Sequence, residues 1–237
     1  PMYPRYFGLI EKPFAIAPNP RYLYMSELHR EAMAHLLYCI SSEGCIILLS
    51  GDVGTGKTTV CRSLVDQLPE TTDIAMILNP KLTIMDLFKT ICEELKIPIN
   101  EAEPTVKTYV DLLNVYLLNA HARGRNTALI IDEAQNLDIE ILEQLRLLTN
   151  LETNTNKLLQ IVLIGQPELR QILAAPQLSQ INQRVTTRYH LGPLQLAEID
   201  NYIHHRIAIA GGNTRNALFS KSAIRYVAKF SQGIPRV

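Results

Sequence analysis

The stretch Gly51-Asp52-Val53-Gly54-Thr55-Gly56-Lys57-Thr58 fits the pattern G-x-x-x-x-G-K-[ST] and constrains the fold more than any other feature of the chain. The pattern has meaning only where a strand leads in and a helix leads out. Both conditions are met, by the apolar run CIILLS at 45–50 and by a helical pattern at 58–67. Glycines let such a loop curl so that successive N–H groups point inward at phosphate oxygens, and the following helix adds the positive end of its dipole. Gly51, Asp52, Val53, Gly54, Thr55, Gly56, Lys57, Thr58 and Thr59 are therefore expected to cradle a phosphate chain. Lys57 should reach the β and γ phosphates and the Thr58 hydroxyl should ligate magnesium, so the expected ligands are ATP and Mg2+.

The surroundings of the loop agree with it. Apolar, β-rich runs at 45–50, 74–78, 127–132, 159–165 and 187–191 alternate with helical patterns at 58–67, 83–95, 105–122 and 139–151. That alternation predicts an α/β fold, a parallel five-stranded sheet flanked by helices. After Gly192-Pro193 the strand signals cease. Two helical patterns follow, at 197–210 and 220–230, separated by Gly211-Gly212-Asn213, and they read as a small helical lid. The expected organisation is a nucleotide-binding domain over 1–193, with residues 1–30 as an N-terminal strap, and a lid over 194–237. Pro1 ahead of Met2 and the abrupt stop at Val237 suggest an excised fragment whose lid is cut short.

A second chemical signal stands on the predicted strand Ala128-Leu129-Ile130-Ile131, which ends in Asp132-Glu133. Phosphoryl transfer needs charge neutralisation and a positioned water. Asp132 is expected to hold the hydrated magnesium and Glu133 to polarise the attacking water. A strand end followed by a helix N-terminus also favours carboxylates, which is the plainer reading of the pair. Gln166, after the run at 159–165, is a candidate sensor of the γ-phosphate or holder of the water, or else simply the residue that opens a helix at Pro167. Arg184 first and Arg188 second are candidates for a finger reaching the γ-phosphate of a neighbouring subunit, with surface ion pairing as the alternative. Arg236, after Pro235, could fold back onto the phosphates. Tyr22, Tyr24, Met25 and His29 precede the first long helix and either pack near the adenine or belong to the core.

Composition excludes several classes. Lys and Arg number 23, as do Asp and Glu, so there is no positive excess of the kind that makes nucleic-acid binding a default. Cys39, Cys45, Cys61 and Cys92 lack the spacing of a zinc or redox motif and are expected to be small buried residues. No run reaches the roughly 18 to 20 apolar residues that cross a bilayer, and the start lacks the layout of a signal peptide. The chain as given is expected to be soluble and cytoplasmic.

Further stretches narrow the field. Tyr6-Phe7-Gly8-Leu9 through Lys12-Pro13-Phe14, Pro18-Asn19-Pro20, His29-Arg30-Glu31-Ala32, Ile131-Asp132-Glu133-Ala134-Gln135, Ile164-Gly165-Gln166-Pro167-Glu168-Leu169 and Gly233-Ile234-Pro235-Arg236 accompany the phosphate loop. Together, over nearly the whole chain, they resemble the AAA+ ATPase domain of secretion ATPase A, the ExeA-like component of type II secretion, related to the MSHA pilus biogenesis ATPase. The resemblance implies an ATPase that self-associates at the cytoplasmic face of the bacterial inner membrane. It also implies an inner-membrane secretion partner protein, peptidoglycan binding through a C-terminal region beyond this sequence, and a role in assembling the outer-membrane secretin. Gln166 departs from the Asn or Thr commonest at the AAA+ sensor position. A DNA-associated AAA+ ATPase such as a transposition helper is the alternative, and a module that binds ATP without turnover is a third reading, against which Glu133 argues.

Overall fold

The sheet follows from where the apolar runs can be covered. In a computed structural model of the chain, describing residues 3–15, 20–41, 46–78, 80–153, 155–212 and 218–236, five strands pair in the order β2-β3-β4-β1-β5. They are β1 (Ile46–Gly51), β2 (Thr72–Ile77), β3 (Asn126–Ile131), β4 (Gln160–Gly165) and β5 (Val185–Leu191), and every pairing is parallel. Pro1, Met2, Pro18, Asn19, Cys45, Asn213 and Val237, singled out above, lie outside the described residues.

β1 and β4 are buried along their whole length, which accounts for their unbroken apolar character. Alternate side chains supply two cores, as the two-residue period of a strand requires. Ile46 and Leu48 join Leu129, Ile131, Ile161 and Leu163 on one face. There they meet α4 (Ile84–Glu94), α5 (Val106–Ala122), α6 (Ile139–Leu148), α7 (Glu168–Leu173) and α8 (Ser179–Gln183). Ile47 and Leu49 join Ala128, Ile130, Val162 and Ile164 on the other, under α2 (Glu27–Ser41) and α3 (Lys57–Gln67). Each fully buried Leu or Ile contributes about 1.5–3 kcal/mol of transfer free energy. Cys39, Cys61 and Cys92 are buried thiols. The helix starts are written locally: Thr83 with Asp86 and Thr105 with Thr108 form capping boxes at α4 and α5.

A third core lies apart from the sheet. Ile199, Ile203 and Ile207 of α9 (Leu196–Ile209) pack with Ile224 of α10 (Lys221–Ser231) and with Leu9 and Tyr22 of the strap. The strap begins with α1 (Tyr3–Tyr6) and is tied down by polar bonds. The Ile10 N–H donates to the Ala210 carbonyl at 2.8 Å, and Arg206 Nε donates to the Pro13 carbonyl at 2.6 Å while its guanidinium sits 4.5 Å over the Tyr22 ring. Leu9 and Tyr22 of the strap thus pack on the C-terminal helices, where the apolar stripe of α9 needs a cover, while Met25 and Leu28 pack on the sheet side. The chain after α10 turns at Ile234-Pro235-Arg236 and starts no helix there. Among the described residues no helix is long and apolar enough to cross a membrane.

At the sheet edge remote from the phosphate loop, Arg125 forks onto Asp73 through Nε and Nη2 at 3.0 and 2.5 Å from Oδ1, and Nη2 also reaches the Glu70 carbonyl. The Arg125 hydrogen bond, helped by Tyr116, holds the Asp73 carboxyl below its ordinary 3.8. A carboxylate whose folded pKa is lowered stabilises the fold above its unfolded pKa, and this is lost as pH falls through the folded value. Arg125→Met should therefore lower unfolding stability near neutral pH. Urea titrations at descending pH should show the wild-type advantage shrinking below pH 3.8, and an advantage independent of pH would refute the assignment.

Candidate nucleotide site

The loop between β1 and α3 takes its shape from glycines that no other residue could replace without strain. Gly54 and Gly56 have φ of 84° and 100°, in the left-handed region. A Cβ on Gly56 would also lie 2.5 Å from His29 Nε2, and one on Gly54 would lie 2.7 Å from Arg236 Cβ. The loop therefore has α2 under one part of it and the end of the chain against another. Thr55 closes it from within, its hydroxyl donating to the Asp52 carbonyl at 2.8 Å. Lys57 Nζ donates to the Gly51 and Asp52 carbonyls at 2.7 and 2.8 Å, which keeps a nearly buried ammonium satisfied inside the loop. Burial pulls this ammonium below the usual lysine range, against the opposing pull of Glu133 and Asp132.

His29 is a support that its sequence position did not reveal. Its Nε2 lies 2.9 Å from the Thr55 carbonyl, which can only accept, so Nε2 carries the proton. Nδ1 then accepts from the Ser26 hydroxyl at 2.5 Å, and the same hydroxyl oxygen receives the His29 N–H. Burial holds the imidazole pKa down. A neutral ring is the form these bonds require, and together they fix the loop to the start of α2.

Thr58 and Asp132 are 74 positions apart in sequence and meet here, the Thr58 hydroxyl donating to Asp132 Oδ2 at 3.1 Å. Asp132 Oδ1 accepts the N–H of Glu133 at 2.8 Å. Burial pushes the Asp132 carboxyl up, partly offset by these two hydrogen bonds. Glu133 itself has φ 52° and ψ 38°, a left-handed backbone that costs a non-glycine residue roughly 1–2 kcal/mol. It turns the carboxylate away from the strand axis, where Gln135 Nε2 donates to its Oε2 at 2.5 Å. Gln135 was visible in the sequence only as part of a longer stretch. Its Oε1 accepts the N–H of Gln166 at 3.1 Å, so the Gln166 main chain is drawn to the same cluster.

The other candidates are dispersed. Arg184 precedes β5, whose first residue pairs with Ile46 at the start of β1. At about 3.3 Å per residue, the five steps from there to Gly51 place it about 17 Å from the loop, farther than an arginine side chain extends. Its Nη1 donates to the Thr149 hydroxyl at the end of α6 at 2.8 Å. Arg188 curls back to the Val185 and Asn182 carbonyls and is exposed. Arg236 is exposed, with its Cβ beside Gly54. Of the four N-terminal residues, Tyr22 is buried in the strap core, Tyr24 meets Tyr202 and His205, Met25 packs on the α2–α3 core, and His29 holds the loop.

With this geometry in view, comparisons with known proteins place the fold and the family. A family model described as "AAA domain" matches residues 40–173. General secretion pathway protein A of Aeromonas hydrophila is 50% identical over 236 residues, a match covering 100% of this chain and 43% of that protein. The chain thus spans less than half the length of this relative. Among solved structures, Cdc6p from Pyrobaculum aerophilum superposes with a TM-score of 0.70 at 19% identity, over 96% of this chain and 63% of the other. The Drosophila ORC bound to DNA superposes with a TM-score of 0.65 at 19% identity, over 94% and 55%. At such identities the solved structures speak to the fold alone, a P-loop α/β fold of the AAA type. The chain belongs to the AAA domain family, and its likeness to general secretion pathway protein A puts it with the ExeA-like proteins of that family.

Proposed function

We propose that this domain binds ATP with Mg2+, hydrolyses it when assembled with further copies, and couples that cycle to assembly of a type II secretion complex, including its secretin, at the cytoplasmic face of the inner membrane. The observation that carries the catalytic reading is the hydrogen bond from Thr58 to Asp132, which sets a hydroxyl and a carboxylate side by side next to the loop and to Glu133. A hydroxyl and one carboxylate are the hard oxygen donors that Mg2+ takes from protein when substrate phosphates supply others. Among the described residues no group of three or more His, Cys, Asp or Glu could hold a metal, and this mode of binding needs none. When bound, Mg2+ neutralises charge on the β and γ phosphates.

The protein's own part follows from the residues around that pair. N–H groups from Gly51 to Thr59 line the phosphates, and Lys57 exchanges the Gly51 and Asp52 carbonyls for β and γ oxygens. Glu133 orients a water and takes its proton as the oxygen bonds to the γ-phosphorus. The bond from that phosphorus to the β–γ bridging oxygen breaks, and ADP leaves with the electron pair. Gln166 reads the γ-phosphate, and Arg236 approaches the phosphates from the lid. Arg184 serves a neighbouring copy's nucleotide, since it stands at the sheet end away from its own, with Arg188 second to it. The secretion role, the inner-membrane partner and the peptidoglycan link rest on likeness to a relative more than twice as long. The DNA-associated reading rests on fold likeness alone, and equal numbers of acidic and basic residues do not favour it.

Glu133→Gln should bind nucleotide as tightly as wild type and lose about 10²-fold or more in single-turnover hydrolysis. Unchanged hydrolysis would remove Glu133 from its role. Lys57→Ala should abolish binding of a fluorescent ATP analogue, and wild-type affinity would sink the phosphate-loop reading. Arg184→Ala and Lys57→Ala chains should each be inactive alone, yet a mixture should regain part of the activity, because one chain supplies the intact loop and the other the finger. No recovery at any mixing ratio would refute the finger in trans.

A further inference from the structure

The two bonds made by the Gln135 amide use both of its ends, and they join the carboxylate that follows β3 to the main chain that follows β4. Nε2 donates to Glu133 Oε2 at 2.5 Å, and Oε1 accepts from Gln166 N, 31 positions away, at 3.1 Å. From this geometry we infer that Gln135 is a positioning residue that ties the Glu133 carboxylate to the main chain leaving β4, so that the nucleotide-facing segment at Gln166 sets where the catalytic carboxylate points. The inference rests on the hydrolytic role proposed for Glu133.

Three features make the tie stiff. Gln135 lies in a single tight turn, Ala134–Asn136, whose flanks are pinned in the core by Ala134 and Leu137, both buried. The turn is closed by the Asn136 and Leu137 N–H groups, which donate to the Glu133 and Ala134 carbonyls at 3.0 and 3.2 Å. The position opposite is a glycine: a Cβ on Gly165 would fall 2.7 Å from Gln135 Oε1 and 3.4 Å from its backbone N. Space for the amide therefore exists only because residue 165 has no side chain. Finally, Glu133 has a left-handed backbone held by the Asp132 carboxylate, and its side chain is held by the Gln135 hydrogen bond. An amide group is planar and rigid, and a shift of the Gln166 N–H turns the whole group, donor end included. A local contact between Glu133 and Gln135 alone would be only a turn-stabilising bond. The arm to Gln166 is what makes it a link.

The test compares single-turnover and steady-state ATP hydrolysis with nucleotide affinity. Gln135→Leu removes both bonds, whereas the isosteric Gln135→Glu keeps an acceptor for Gln166 and puts a like charge against Glu133. Both should lower kcat about 10- to 100-fold, the scale of a misplaced catalytic group, and leave the affinity for a fluorescent ATP analogue within about twofold. Gly165→Ala leaves Glu133 and Gln135 chemically intact and displaces the amide, together with the end of the Leu169 side chain, whose Cδ2 the new Cβ would meet at 2.9 Å. It should lower kcat to a similar degree in the wild-type background and have a much smaller effect in a Gln135→Ala background, where the amide is gone and only the Leu169 contact remains. Wild-type kcat in Gln135→Leu and Gln135→Glu, or independent multiplicative losses from Gly165→Ala and Gln135→Ala, would overturn the link. Should Glu133→Gln keep full turnover, the hydrolytic role and the link fall together. A dead Glu133→Gln beside fully active Gln135 variants would overturn the link alone.

Discussion

The arrangement depends on the placement of β4 between β1 and β3. Because β1 pairs with β4 and β4 with β3, the phosphate loop and the Asp132-Glu133 pair leave the sheet on either side of one strand end, in the crevice where ligands bind in open α/β sheets. Thr58 bridges the gap from one side to Asp132. Gly165 and Gln166 emerge in the middle, which leaves room there for backbone but not for a side chain at residue 165. A parallel sheet buried on both faces makes this spacing firm, since sliding any central strand would expose a face of Ile and Leu.

Among the described residues, the charged groups that reach into this crevice bear different costs. Lys57 and Asp132 both suffer from burial, in opposite directions, and each is the other's partial compensation. Glu133 holds a strained backbone, a feature that persists only where neighbours over-determine it. Here those neighbours are the Asp132 carboxylate on its N–H and the Gln135 amide on its side chain.

A second seam joins the site to the rest of the molecule. His29 and Ser26 hang the loop from the first turn of α2, while the Glu27 N–H donates to Glu198 at the start of α9 at 3.1 Å. The Gly233 carbonyl accepts the Leu194 N–H at 2.8 Å, so both ends of the helical unit meet beside the sheet, with Arg236 next to Gly54. The strap, α9 and α10 share one core, and its displacement would be felt at the phosphate loop through these few contacts.

Much of this was legible in the sequence because it is local. A strand-loop-helix with fixed glycine spacing, apolar runs of strand length and threonine caps are each written within about ten residues, and the five strands and long helices lie within a few residues of their expected bounds. The resemblance to a known family rested on the same short stretches. What the chain could not display along its length is which ends meet. The strand order, the packing of the start of the strap on α9, and the paired hydrogen bonds of Gln135 each join residues between 31 and about 200 positions apart. Local propensity fixes elements through the backbone of a few neighbours, but such pairings are settled only by which apolar faces can be covered at once. The sequence by itself determined the P-loop pattern and pointed to Asp132 and Glu133, and the tertiary structure decided which amide ties Glu133 to the chain leaving β4.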